Sequence, residues 1–358
     1  MNMRPDLHLA AFGVEMAPCV VTSADIEERM ASTWERLGIP QGQIEQLTGV
    51  RERRWWETGT SISAMAARAC QKALDRAGMS IQSVDRLIYT GVCREGFEPA
   101  TACAVAHHLG AIHPLELHDL SNACLGTMDA IVLAEDAIRS GRHKTTLVVS
   151  CESARDIVEI ACENLNRQPD IDLFTRSLAT WTGGSGAAAL LLVSSEVSDQ
   201  GPRLVGSAQG TDSRWHELCR WGVKSEDSVT DPALRTEYME TDAIGVLRHG
   251  VDLGLKTWNQ FLETLNWSSE EVDRTICHQV GSAHRQEILP SLGISPEQDY
   301  ITFPFLGNIG TVSIPMTAAL AAERGVLLSG HRVAFWESEV VSFAECSHGS
   351  GDETVQFQ

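Results

Sequence analysis

The sequence predicts an α/β protein in two parts. Three observations carry this: short continuous apolar runs alternate with segments of helical period, the alternation starts again after residue 200, and a polar linker, SSEVSDQGP at 194–202, lies between the two series. At 358 residues the chain is long enough for two domains or one large two-part fold. The expected division is 1–198 and 199–358.

In the first part, VDRLIYTGV (84–92), TTLVVSCES (145–153) and GAAALLLVS (186–194) have the length and continuous apolarity of buried strands. ERMASTWERLG (28–38), ISAMAARACQKALDRAG (62–78) and GTMDAIVLAEDAIRSGR (126–142) carry apolar residues at i, i+3 and i+4, and the last two run into glycine, an expected stop. The second part repeats the theme. RLVGSAQG (203–210), RTICHQV (274–280) and GHRVAFW (330–336) read as strands. Residues 240–267 form a long helical stretch, and IPMTAALAAERG (314–325) is a helix with Pro315 in the first turn, where a missing N–H costs nothing.

Composition excludes several classes. Lys+Arg is 28 against Asp+Glu 48, a net charge of −20, which disfavours binding to nucleic acid or to anionic membranes. The apolar fraction of 43% supports a sizeable core. No run reaches the ~18 apolar residues of a transmembrane helix, and the N-terminus has no signal-peptide pattern, so the expected location is cytoplasmic. The 10 cysteines are scattered without a CxxC pair, which speaks against a zinc site and for reduced thiols.

Four segments hold candidate chemistry. In DLSNACLGTMDAI (119–131), Cys124 follows a short strand-like segment and opens a helix, where unpaired N–H groups favour a thiolate and lower the thiol pKa; a buried structural cysteine is the competing reading. In ICHQVG, His278 sits where a strand gives way to a loop, as an active-site group or as a hydrogen-bonded structural histidine. In LGNIGTVSIP, Asn308 lies between Gly307 and Gly310, placed either to donate to a thioester oxygen or enolate or simply to form a turn. In CREGFEPATA, Glu98 is either a general base or a solvated loop residue. The glycines of WTGGSGAAALLLV (181–193) suit close backbone approach but lack the strand–GxGxxG–helix order of a dinucleotide site.

In order and context, these segments resemble the β-ketoacyl synthase III enzymes of the thiolase superfamily: Cys124 in SNACLG, His278 in HQVG and Asn308 in GNIGTVSIP match a Cys-His-Asn set, and TGVRERRWW (48–56) and the Gly-rich strand match further segments. Within the family, CREGFEPATA, GVRERRWW and the Trp-rich region Trp215–Trp221 resemble the OleA-type branch, which joins two long acyl-CoAs head to head. The resemblance implies a five-layered αβαβα fold of two similar halves, a homodimer, coenzyme A thioesters as substrates and no cofactor or metal. It also implies roles: Cys124 takes up an acyl group, His278 and Asn308 stabilise an enolate, and Glu98 removes an α-proton in a non-decarboxylative Claisen condensation. The alternative is a malonyl-using synthase III with an acyl carrier protein as partner. Acyl transfer to oxygen is disfavoured by Asn308, and an inactive subunit by the intact Cys-His-Asn set.

The C-terminus departs from the family. Relatives carry a Gly-rich loop such as LGIGSGL that supplies an oxyanion-hole N–H; this chain reads AFWESEVVSFAECSHGSGDETVQFQ from Ala334, with Glu337 and Glu339 in place of glycines. Codons for Phe335 to Ser342, read one nucleotide earlier, can spell the family loop. A single-nucleotide deletion near Ala334–Phe335 is therefore the expected origin of this tail, with a damaged oxyanion hole as its consequence.

Overall fold

A computed structural model describes residues 5–224, 236–337 and 340–345. The sheet strands are β1 (Leu7–Met16), β2 (Arg86–Tyr89), β3 (Glu116–Asp119), β4 (Thr145–Glu152), β5 (Gly186–Ser194), β6 (Arg203–Gln209), β7 (Arg274–Cys277), β8 (Arg332–Glu337) and β9 (Val340–Glu345). The helices that frame them are α1 (Ile62–Arg76), α2 (Thr101–His108), α3 (Gly126–Arg139), α4 (Ala243–Leu265), α5 (Ser282–Leu292) and α6 (Ser313–Glu323). The segment 28–38 holds a shorter helix than its periodicity predicts, Ala31–Leu37, closed by Gly38 in the left-handed region at φ 67°.

The strands form one mixed sheet in the order β7-β8-β9-β6-β1-β5-β4-β2-β3. From β1 outward the first half runs β1-β5-β4-β2, and from β6 outward the second runs β6-β9-β8-β7. The directions agree as well: antiparallel, antiparallel, then parallel in each half. The halves meet edge to edge through only two residue pairs, Leu7–Leu204 and His8–Arg203.

The sheet curls around α3 and α6. One core joins both helices to the inner faces of β1, β5 and β8 (Ile131, Ile138, Leu320, Leu190, Leu192 and Phe335 among its members). A second core packs α1 and α2 on the outer face of the first half, and a third packs α4 and α5 on the outer face of the second. The layers are therefore α1/α2, sheet, α3/α6, sheet, α4/α5. Strand β5 shows why its sequence is continuously apolar: Ala188, Leu190 and Leu192 enter the central core, while Ala187, Ala189, Leu191 and Val193 enter the outer one. Ten of the eleven residues of α6 are buried, as a helix in a middle layer requires.

Candidate active site

The turn before α3 holds Cys124. Ala123 adopts φ 45°, an unfavourable conformation for a residue with a Cβ, and its carbonyl is held by the Thr311 hydroxyl at 2.9 Å. The Leu125 N–H donates to the Asn122 carbonyl at 2.9 Å, and Asn122 Nδ2 donates to Asp129 at 2.6 Å. Gly126 is required by proximity: a Cβ there would lie 2.7 Å from the Thr90 carbonyl. The nucleophile candidate is thus fixed at a helix start, as its sequence context predicts. Its thiol pKa is not lowered as expected. It is raised well above the usual thiol range, first by burial and then by the charge of Glu337, followed by Cys219 and Glu152.

Asn308 sits in a loop seated on the Gly-rich segment. Its N–H donates to the Thr182 carbonyl at 3.0 Å, and its carbonyl accepts from Gly184 at 2.9 Å. A Cβ at Gly184 would strike the Leu306 carbonyl, and one at Gly307 (φ 67°) the Thr182 carbonyl, so one glycine on each segment lets the two backbones meet. Buried Arg53, from the GVRERRWW segment, braces the neighbourhood by donating to the Trp181 carbonyl at 2.9 Å. The Asn308 Oδ1 accepts from the Gly310 N–H at 2.9 Å, which leaves the amide NH2 as the donor available to a ligand.

His278 follows β7 directly, its N–H bonded to the Trp336 carbonyl of β8 at 3.0 Å. It is 6% exposed, and burial pushes its imidazole down to about 4, so it is neutral at pH 7. Its Nδ1 lies 3.4 Å from the Glu337 carboxylate at the end of β8. Glu337 is buried. Glu339 and the chain beyond residue 345 lie outside the described residues.

A cavity of about 570 Å³ is lined by Cys124, Asn308, Gly184, Glu152, Trp221 and Met239 among others. The structure therefore brings Cys124 and Asn308 to one space. His278 is buried beyond that lining. Glu98 is exposed and lines neither this cavity nor the adjoining one of about 540 Å³ that opens past Trp56, Arg94 and Arg155. Within one chain it is not part of the Cys124 site.

Glu152 is a site residue that the sequence reading passed over as part of a buried strand. Its carboxylate accepts from the Val92 and Cys93 N–H groups at 2.9 and 3.1 Å, and burial raises its pKa against the pull of those bonds. An acid inside an otherwise apolar strand is the signal that could have found it. Glu95, near Glu98, is committed elsewhere: it accepts from the Ser63 N–H and hydroxyl at 3.2 and 2.8 Å.

Cysteine at a helix start, an amide aimed at the same cavity and two halves curled around paired helices define a thiolase-like acyltransferase. Residues 48–164 match the thiolase N-terminal domain, 118–213 match 3-oxoacyl-[acyl-carrier-protein] synthase III, and 262–338 match the C-terminal domain of that enzyme. An acyl-CoA:acyl-CoA alkyltransferase of Shewanella oneidensis is 42% identical over 90% of this chain and 92% of its own length. One from Xanthomonas campestris is 32% identical over 89% and 90%. Crystal structures of Xanthomonas campestris OleA superpose with a TM-score of 0.87; one, holding lauric acid and lauroyl-CoA, is 30% identical and covers 97% of this chain and 100% of its own. The chain belongs to the acyl-CoA:acyl-CoA alkyltransferase family, that of OleA.

Proposed function

We propose that this protein condenses two acyl-CoA thioesters head to head by a non-decarboxylative Claisen reaction. The observation that carries this is the shared cavity of Cys124 and Asn308 in a chain 42% identical to an acyl-CoA:acyl-CoA alkyltransferase. Its volume, about 570 Å³, suits a flexible acyl chain.

The Cys124 sulfur attacks the first thioester; its carbon–sulfur bond forms as the bond to coenzyme A breaks, and the Cys124 thiol proton goes to the departing coenzyme A sulfur, which leaves as thiol. The second acyl-CoA loses an α-proton, and its enolate oxygen takes a hydrogen bond from the Asn308 amide; the family resemblance assigns the second donor to neutral His278, which lies behind the cavity lining. The enolate carbon attacks the Cys124 thioester, forming the carbon–carbon bond and expelling the thiolate. The product is a β-ketoacyl-CoA, which water converts to the β-keto acid.

Glu98 is the proposed base, acting in the site of a second copy. The loop that carries it is exposed, with Phe97 97% accessible, a degree of exposure suited to insertion into a neighbour in a homodimer. Mixing the inactive variants Cys124→Ala and Glu98→Gln should then restore about a quarter of full activity, because half of the dimers are mixed and each has one complete site. No restoration would assign Glu98 to its own chain, and a Glu98→Gln variant that stays active on its own would leave it without a role.

The function itself is tested by supplying a long-chain acyl-CoA alone and, separately, acetyl-CoA with a malonyl donor. Coenzyme A release and a β-keto acid or ketone from acyl-CoA alone are expected. Product only with malonyl would replace this reading by a decarboxylating synthase III, with an acyl carrier protein as partner.

A further inference from the structure

The loop 92–100 carries Glu98 and is tied to its own chain at its root, at its far end and in between. At the root, the Val92 and Cys93 N–H groups donate to buried Glu152 at 2.9 and 3.1 Å, and the Tyr89 hydroxyl donates to the Cys93 carbonyl at 2.5 Å. At the far end, the Thr101 and Ala102 N–H groups that open α2 donate to Asp119 of β3 at 2.8 and 2.9 Å. Between these ends stands Glu95. One of its carboxylate oxygens accepts from the Ser61 hydroxyl at 2.5 Å and the Ser63 N–H at 3.2 Å, the other from the Ser63 hydroxyl at 2.8 Å. Ser61 caps α1 by accepting from the Ala64 N–H at 3.1 Å, so Glu95 takes another N–H that the helix start leaves unpaired. Partial burial opposes the Glu95 charge, but these bonds outweigh it and hold the carboxyl below its usual range. Arg94 adds a longer ion pair with Asp119, at 4.0 Å. The residues that follow, Gly96, Phe97 and Glu98, are exposed.

We propose that Glu95 is a positioning residue for Glu98: clamped to the start of α1, it fixes the loop tip that presents Glu98 to the Cys124 cavity of a second copy. The inference rests on the role given above to Glu98. A base must come within hydrogen-bond reach of the α-proton, and a tip anchored only at its two ends would sample many directions, few of them productive. Glu95 stands three residues before Glu98, and its bonds are charge-assisted, the stronger kind. It is not itself the base, since both of its oxygens are engaged by Ser61 and Ser63. Its effect therefore belongs to the chain that lends Glu98, not to the chain whose Cys124 is acylated. It also belongs to the condensation step, not to acylation.

The test is Glu95→Ala, with lauroyl-CoA as substrate. Acyl transfer to Cys124, followed by intact-protein mass, should keep its rate, while kcat for β-keto acid or ketone formation falls about 10-fold or more and KM changes little. Glu95→Gln, whose carbonyl oxygen still accepts a hydrogen bond at the clamp, should keep a larger share of turnover. An equal fall of acylation and condensation would make Glu95 a support of the fold and overturn the proposal. Mixed dimers show in which chain Glu95 acts. In the mixture of Cys124→Ala with Glu98→Gln, which restores about a quarter of full activity when Glu98 acts across the dimer, the Cys124→Ala chain lends its loop. Adding Glu95→Ala to that chain should abolish most of the restoration; adding it to the Glu98→Gln chain should leave the restoration intact. An equal effect from either chain, or none from both, overturns this proposal and leaves the assignment of Glu98 standing. No restoration in the mixture without Glu95→Ala overturns the assignment of Glu98 across the dimer, and this proposal with it. Should Glu95→Ala not fold, Ser63→Ala loosens the same clamp from the other side and is held to the same outcomes.

Discussion

The turn before α3 and the end of β8 lie close to each other and are built differently. Around Cys124 the strained backbone is tied down: Thr311 holds the Ala123 carbonyl, Asp129 holds the Asn122 side chain, and Gly126 fits against Thr90 with no room to spare. At the end of β8, fully buried Trp336 has an indole N–H without a hydrogen-bond partner among the described residues, and its ring presses on Gly254. A carboxylate follows it into the core. Local residues and environment agree in the first region and conflict in the second, and the match to the synthase III C-terminal domain ends there, at residue 338. A tail written in a shifted frame would produce this contrast, because the strand's backbone pairing tolerates many sequences while its enclosed side chains do not.

Four experiments break or sharpen the comparison. The largest effect belongs to Cys124→Ala, which should lower turnover by on the order of 10³-fold or more and leave no acyl adduct in the intact-protein mass after mixing with acyl-CoA. An adduct of undiminished stoichiometry would move the nucleophile elsewhere. Next is exchange of the tail: a chain that continues in the other frame from Phe335 should gain on the order of 10²-fold in kcat/KM, the worth of one oxyanion donor. Equal turnover of the two chains would mean that the tail as written does no harm. Sequencing the gene across the Ala334–Phe335 codons decides separately whether the missing base is real.

Stability changes should be smaller. Gly254→Ala places a methyl against the Trp336 ring and should cost about 1–3 kcal/mol in denaturant unfolding. Combining it with Trp336→Leu should recover part of that loss, since the two residues touch. Thr311→Val removes one bond to the nucleophile turn, costs about 1 kcal/mol, and should slow Cys124 alkylation a few-fold. Alkylation at the original rate would show that the turn holds its strain without Thr311.

By itself the sequence determined several of the elements, though not β1, α2, α5 or β9, and two of the four candidate site residues, the pair that shares the cavity. Strand β5 occupies the predicted residues 186–194, and α1 and α3 begin where their periodicity begins, because hydrophobic period and glycine stops are local properties. Cys124 and Asn308 were legible through their motifs and share a cavity. Only the tertiary structure decided the rest. The equivalent strand order of the two halves depends on pairings far apart in sequence, so no local pattern contains it. Glu98 is exposed and outside its own chain's cavity, a fact of loop direction rather than residue type. Burial and the Glu337 charge raise the Cys124 thiol where a helix start alone would lower it, because desolvation is set by everything that encloses the sulfur. The departure of the tail could be read from its residues, but its contact with His278 could not, since strands β7 and β8 are joined only by the fold.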